Sequence, residues 1–349
     1  MDIDWKSVHR VLVVRLRSIG DTVLSTPSLI GLKRFLPQAQ IDILLEDWVA
    51  PILSGFDAVD NVIAINQARG SRINAARRIR KNKYDVVFNL HGGTTATFFA
   101  AASRATHRVG YSGYRYSFVY NHRLSSAADF WRTEQTHSAE QQLALLGFVG
   151  VPVEDRPRSR LVVTGEALDH LKARGVCIDE VYALFHPTAA FATKEWPVEN
   201  FARTAEFLHE KGLKTIAIAA KNEKDVLKKL TAESNVPISI FNGLSLPEIT
   251  ALASRAKLFV GNDSGIAHIA AAVNTPSVVI FGSSNIHHWR PWTDAPNEIV
   301  YHPLPCQPCP GYECKEFGEP KCILSVKPEA VFAAVDRLLD STIPSRRYK

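Results

Sequence analysis

The sequence predicts an α/β protein of two doubly wound parallel sheets, and three observations lead there. Short apolar runs of strand character alternate with segments of helical period along most of the 349 residues. The alternation runs twice, and the proline-rich, charged stretch VPVEDRPRSR (151–160) between the two series reads as a linker. Each series also holds a strand that empties through a short polar turn into a helix. In doubly wound sheets ligands sit beyond the carboxyl ends of the strands, so a cleft between two such sheets suits a large pair of substrates.

In chain order, RVLVVRL (10–16) is a buried strand and TVLSTPSLIGLKRFL (22–36) a helix, with Pro27 tolerable in its early turns. QIDILLE (40–46) and NVIAI (61–65) are the next strands. INAARRIRKN (73–82) is helical, and YDVVFNL (84–90) is a strand ending at His91-Gly92-Gly93. HSAEQQLALLGFVG (137–150) is a helix closing on glycine. The second series runs strand VYALFHP (181–187), helix VENFARTAEFLHEKG (198–212), strand KTIAIAA (214–220), helices EKDVLKKLTAES (223–234) and SLPEITALASRA (245–256), strand KLFVG (257–261), helix IAHIAAAV (266–273) and strand SVVIFG (277–282). An amphipathic helix, KPEAVFAAVDRLLD (327–340), closes the chain and is expected to reach back toward the first domain. The expected domains are 1–160 and 161–326, with 327–349 as C-terminal helix and tail.

Composition excludes several classes. The chain is 46% hydrophobic and 22% charged, ordinary for a folded domain pair, and no apolar run approaches the roughly 20 residues that span a bilayer. The N-terminus has no signal-peptide core, so a cytoplasmic location is expected. The net charge of +6 lies wholly in the first half: residues 1–150 hold 18 Lys+Arg and 12 Asp+Glu, whereas 151–349 hold 23 of each. Much of the excess is in ARGSRINAARRIRKNK (68–83). It is either a solvated helix face or a surface that meets phosphates. No aromatic platform, zinc finger or helix-turn-helix accompanies it, which argues against nucleic acid.

Three turns carry the chemistry. Asp21 stands in Ser-Ile-Gly-Asp at the mouth of the first strand–helix turn, where anions usually collect. As a helix cap it is structural; as a positioned carboxylate it is a base. In KLFVGNDSGIAHIAAAVNTP (257–276) a helix starts near Ile266, and free N–H groups there favour a phosphate, with Gly265 allowing close approach. Asp263 or Ser264 can equally cap that helix, and His268 can be a buried, satisfied histidine. In FHPTAAFATKEWPVENF (185–201) a loop bracketed by prolines offers Thr188 and Lys194, the latter either a phosphate contact or a surface lysine. Neither the dinucleotide nor the P-loop glycine fingerprint is present. DID (2–4) matches a metal-binding D-x-D only in letters, and lies where chains fray.

RLRSIGDTVLSTPSLIGLKRFLP, KEWPVENF and GNDSGIAHIAAAVNTPSVVIFGSSNIHHWRPW together resemble glycosyltransferase family 9, the ADP-heptose:lipopolysaccharide heptosyltransferases, with RVGY (108–111) and HSAEQQLALLGFVG as further matching segments. The resemblance implies a GT-B fold of two Rossmann-like domains facing a central cleft. It implies metal-independent, inverting transfer from ADP-L-glycero-D-manno-heptose to the inner core on lipid A. It places the catalytic base at Asp21, with Arg15, Arg17, Ser18 and Gly20 toward the acceptor. It places Lys194, Thr188, Ser264 and Gly265 on the diphosphate, Asp263 on the donor sugar and His268 beside the phosphates. Glu223 would reach the ribose, although the family often has two glycines where this chain has Ala219-Ala220. No cofactor is implied, and the partners are the ADP-sugar, the lipid A–core acceptor and the cytoplasmic face of the inner membrane. Arg69, Arg72, Arg77, Arg78 and Arg80 are expected on the membrane or acceptor side.

Five cysteines complete the reading. Cys177 is isolated, and Cys306, Cys309, Cys314 and Cys322 form C-x2-C-x4-C-x7-C. That spacing suggests a structural metal, but its second pair is not a tight knuckle, so reduced thiols are expected. Three other functions stay open. A nucleotide-sugar epimerase on the same fold would leave the basic first half unexplained. A protein-directed heptosyltransferase is a variant of the first reading. A silent binding protein fits poorly with the intact Asp21 and Lys194.

Overall fold

A computed structural model gives the fold; it describes residues 2–309 and 311–341. The chain divides into two compact units, residues 1–162 and 163–349. Each is built on one parallel six-stranded sheet.

The first sheet contains β1 (Arg10–Leu16), β2 (Gln40–Glu46), β3 (Asn61–Ile65), β4 (Val86–Asn89), β5 (His107–Tyr111) and β6 (His122–Leu124), in the order β3-β2-β1-β4-β5-β6. The second contains β7 (Tyr182–His186), β8 (Lys214–Ala219), β9 (Ile238–Asn242), β10 (Leu258–Asn262), β11 (Ser277–Phe281) and β12 (Asn297–Tyr301), in the order β12-β11-β10-β7-β8-β9. Counted within its own unit, each is the doubly wound order 3-2-1-4-5-6. Each chain path therefore reverses direction at one point, between β1 and β4 and between β7 and β10, and a crevice opens there beyond the strand ends.

The central strands are near-continuous apolar runs because helices cover both faces. Val11 to Val14 and the whole of β7, β10 and β11 are buried. The one carboxylate inside the first sheet, Asp42 on β2, is satisfied by Gln40, Asn61 and the Tyr84 hydroxyl, the last at 2.5 Å.

Several sequence expectations are corrected. The expected helix over 22–36 is two helices, Ile19–Val23 and Thr26–Phe35, with Pro27 in the first turn of the second. Proline has no N–H to donate and its ring clashes with the preceding turn, so it begins a helix more readily than it continues one. Ser18, not Asp21, caps the first of these: its backbone is at φ 80°, and its Oγ accepts the Asp21 N–H at 3.5 Å. Stretch 151–160 is no loose linker. Arg156 pairs with Glu140 at 2.6 Å, Asp155 with Arg34 at 2.8 Å, and Arg160 with Asp57. Val151 and Val153 are buried, so this segment is bound to the first unit. The closing helix, Pro328–Ser341, packs within the second unit, where Phe332 stacks on Phe207 at 4.4 Å and Val331, Ala334 and Val335 join the core. No helix among the described residues is long and apolar enough to cross a membrane.

Candidate active site

Both units concentrate polar side chains at the point where the strand order reverses. In the first unit, β1 ends at Leu16 with φ 66°, and the chain turns through Arg17 and Ser18 into the short helix carrying Asp21. Arg15 is buried on β1, and each of its three guanidinium nitrogens has a partner. It pairs with the Asp21 carboxylate, donates Nε–H to the Asp21 carbonyl at 3.2 Å, and donates from Nη1 to the Leu90 carbonyl at 2.6 Å. The guanidinium thus ties the end of β1 to the end of β4 and fixes the carboxylate between them. Asp21 keeps 23% of its side chain exposed, which leaves an oxygen accessible. Gly20 is buried in the same turn and Arg17 is exposed at its rim.

The end of β4 supplies a group not singled out from the sequence. His91 follows Leu90, its N–H and that of Gly92 both donating to Asn89 Oδ1 at 3.0 and 2.9 Å. Its Nδ1 is buried without a hydrogen-bond partner. Burial, and next the Arg15 charge, push its imidazole down to about 4, against the opposing pull of Asp21. A neutral imidazole therefore stands beside the paired carboxylate. Gly92 has φ 72°, and the Tyr114 ring lies 3.0 Å from where a Cβ would be, so no larger residue fits this turn.

In the second unit, one hydrogen-bonded chain crosses the reversal point from β10 to β7 and on to the turn after β8. Ser264 lies 3.1 Å from His186 Nδ1, His186 Nε2 lies 3.3 Å from Thr188 Oγ1, and Thr188 donates to Glu223 Oε2 at 3.0 Å. Because Thr188 spends its proton on the carboxylate, it accepts from His186 Nε2–H. Nδ1 then accepts from Ser264, which fixes the imidazole tautomer. Burial pushes His186 down to about 4, so the ring that links these groups is neutral. Glu223 Oε2 also accepts the Ala220 N–H at 2.9 Å, so the missing glycines leave this carboxylate in place beside Thr188.

Lys194 and Asp263 form the charged part of this half. Lys194 Nζ donates to Asp263 Oδ2 at 2.8 Å, with side-chain exposures of 18% and 5%. This lysine is not a free surface group. Asn262 anchors the loop beside it, donating to the Pro187 carbonyl at 2.9 Å and accepting the Trp196 N–H at 3.1 Å. Helix Gly265–Ala272 starts at Ser264, whose hydroxyl makes no capping bond; it is committed to His186 instead. The first N–H groups of that helix therefore stay available to an anion. His268 is buried one turn into the helix. The structure brings Thr188, Lys194, Glu223, Asp263, Ser264, Gly265 and His268 to one end of the second sheet, and Arg15, Arg17, Ser18, Gly20 and Asp21 to the corresponding end of the first.

The four clustered cysteines are free: Cys322 is buried, and Cys306, Cys309 and Cys314 are half-buried. Burial, and the neighbouring thiols, push the Cys322 thiol up. Among the described residues no group of three or more His, Cys, Asp or Glu is arranged to hold a metal ion.

The sequence pattern of glycosyltransferase family 9 (heptosyltransferase) matches residues 72–318. The chain belongs to this family. Among its relatives, lipopolysaccharide heptosyltransferase 3 of Escherichia coli is 29% identical, the match covering 94% of this chain and 98% of that one. A glycosyltransferase family 9 structure from Veillonella parvula superposes with a TM-score of 0.81 at 19% identity, covering 98% of this chain and 99% of the other. E. coli ADP-heptose LPS heptosyltransferase II superposes at 0.79 with 21% identity, covering 95% and 99%. These likenesses give the fold as GT-B and the enzyme as a family 9 glycosyltransferase, a heptosyltransferase. Within that fold, His91 and His186 are the site groups that the sequence reading missed. His186 ends β7 and His91 follows just after β4, and a histidine at the carboxyl end of a strand is the one signal that could have singled them out.

Proposed function

We propose that this heptosyltransferase moves heptose from ADP-L-glycero-D-manno-heptose to the inner core of lipopolysaccharide, by a single displacement with inversion and without a metal ion. The observation that carries the reading is Asp21, an accessible carboxylate held by a buried arginine at the reversal point of the first sheet. A sugar hydroxyl does not ionise freely at neutral pH. As its oxygen bonds to the anomeric carbon, Asp21 takes its proton. The bond from that carbon to the diphosphate breaks, and ADP leaves with the electron pair.

Charge grows on the leaving diphosphate, so fixed positive groups there stabilise the transition state more than the ground state. In this reading Lys194 exchanges its contact with Asp263 for the diphosphate, and the N–H groups at Ser264 to Ile266 supply the rest. Asp263, released, accepts from donor sugar hydroxyls, and His268 borders the phosphates. Thr188, held by His186, borders the diphosphate, and Glu223, to which Thr188 donates directly, takes the ribose side. Arg15 positions the base, while Arg17, Ser18 and Gly20 line the acceptor side. The related proteins named for lipopolysaccharide and for ADP-heptose support this choice of donor and acceptor.

Asp21→Asn is expected to bind ADP like the unaltered enzyme and to lose transfer by at least about a hundredfold, the usual scale for a general base. Calorimetry with ADP and a mass assay on heptose-deficient lipopolysaccharide check it; turnover within a few-fold of normal would remove Asp21 as the base. EDTA is expected to leave transfer intact. Activity lost to EDTA and restored by Mg²⁺ would reject the metal-free mechanism.

A further inference from the structure

The outer face of the first unit carries charge and apolar surface that the transfer reaction does not use. Between residues 61 and 128 the sequence has eleven Lys and Arg and one carboxylate, Asp85. Asp85 is already committed, accepting the His9 and Arg10 N–H groups at 2.8 and 2.9 Å. Helix Ser71–Asn82 presents Arg72, Arg77, Arg78 and Arg80 to solvent, and among the described residues none of these, nor Arg69 or Arg115, forms an ion pair. Arg69 and Arg78 both line an open cavity of about 380 Å³, together with Asn66, Ser71 and Asn74.

Large apolar side chains stand exposed among these charges. Ile73 is 55% exposed, Phe98 48%, Tyr116 49% and Phe118 76%. They belong to three segments packed side by side. Helix Ser71–Asn82 lies along helix Gly93–Ser103, which in turn contacts the Ser117–Val119 turn. The two helices bury Ala75, Ile79, Ala96, Phe99 and Ala100 in one core on one face of the sheet, so their outer sides turn away from it together. Thr97 fastens the 112–119 loop, its hydroxyl lying 2.8 Å from the Tyr120 hydroxyl. Arg115 sits over the Tyr116 ring at 5.3 Å, and Tyr116 meets Phe118 edge-on at 6.2 Å. The loop follows β5, at the same end of the parallel sheet as Asp21.

We propose that this face docks on an anionic phospholipid bilayer, with Phe98, Tyr116, Phe118 and Ile73 entering the headgroup layer and the arginines meeting lipid phosphates. Exposed aromatics on a solvated helix face cost solubility without return, whereas at an interface their burial favours binding and the unpaired arginines add electrostatic attraction. A basic group near an anionic surface is worth roughly a fivefold gain in binding. The proposal rests on the reading that the acceptor is lipid-borne, since docking would then bring the Asp21 end of the sheet to it.

The test uses the full chain and vesicles of phosphatidylcholine, alone or mixed with phosphatidylglycerol. The unaltered protein is expected to co-sediment with the mixed vesicles, less so as salt rises, and weakly with phosphatidylcholine. F98S/F118S and R72Q/R77Q/R80Q are each expected to lower vesicle affinity by about tenfold or more. Both are expected to keep normal transfer to a delipidated core oligosaccharide, which reports on the proposed reaction independently of docking. Phe118→Trp supplies a second readout, a blue shift of emission on adding mixed vesicles. Vesicle binding unchanged in F98S/F118S, or no emission shift, overturns the proposal. So does an R72Q/R77Q/R80Q effect confined to KM for the delipidated acceptor, which would assign the arginines to substrate.

Discussion

Lys194 and Asp263 show how a single pair serves two states. Without ligand, the buried Asp263 carboxylate needs a counter-charge, and Lys194 supplies it at 2.8 Å. An incoming diphosphate competes for the same ammonium. Lys194→Ala is therefore expected to act twice: ADP affinity falls by about tenfold or more as the charge contact is lost, and the free protein loses a few kcal/mol because Asp263 is left buried and unpaired. ADP titration and urea unfolding of the same variant separate the two effects. Unchanged values in both would return Lys194 to a surface role. Arg15→Lys probes the other half, because an ammonium cannot reach the Asp21 carboxylate, the Asp21 carbonyl and the Leu90 carbonyl together. Turnover should drop while ADP binding holds, measured by the same two assays. Asp21 was legible because it lies in a long ordered motif, and Lys194 because it opens the shorter KEWPVENF. His91 and His186 were not, because their significance lies in what β1, β8 and β10 bring to them, and a single sequence shows no such neighbours.

At the scale of elements, the sequence disclosed the buried central strands, the amphipathic helices and one edge strand, β3, and hid the other edges. RVLVVRL and SVVIF are mostly apolar, with only Arg10, Arg15 and Ser277 polar, because both sheet faces are covered. The strands β6, β9 and β12 escaped notice because they lie at sheet edges, and β9 is largely open to solvent. Their residues are polar enough to read as loop. The inner strand β5, HRVGY, contributes only two fully buried residues, so its apolar signal is weak too. Tight contacts between loops were equally hidden. Gly282, just after β11, lies against the Thr193 carbonyl, and a Cβ there would also press on Ile323 at 3.1 Å. Backbone cannot retreat as a flexible side chain can, so Gly282→Ala should displace the Ala192–Lys194 turn. The expected result is a loss of about 1–3 kcal/mol in stability with weakened ADP binding, although Gly282 itself holds no ligand. A thermal melt and an ADP titration check this; normal ADP affinity would show that the turn accommodates the methyl.

For the molecule as a whole, buried histidines make stability depend on pH in a calculable direction. His186 and His91 are both pushed down to about 4 by burial, and His107 and His122 are lowered for the same first cause. In the unfolded chain these rings take up protons near pH 6.5. As pH falls below that value the unfolded state gains protons that the folded state refuses, so stability present above about pH 6.5 is lost progressively toward pH 4. Buried His186 alone should remove about 2 kcal/mol between pH 7.5 and 5. The lowered carboxylates Glu199 and Glu248 act in the same direction, but only at lower pH, as they approach their ordinary range. A drop between pH 6.5 and 5 therefore belongs to histidines. His186→Asn removes the titrating ring, so its unfolding free energy should be lower than normal at pH 7.5 and fall less steeply toward pH 5. Urea unfolding at half-unit pH steps gives both slopes. Equal slopes would mean that His186 is protonated in the folded protein, and the neutral link from Ser264 to Glu223 would have to be redrawn with a charged ring.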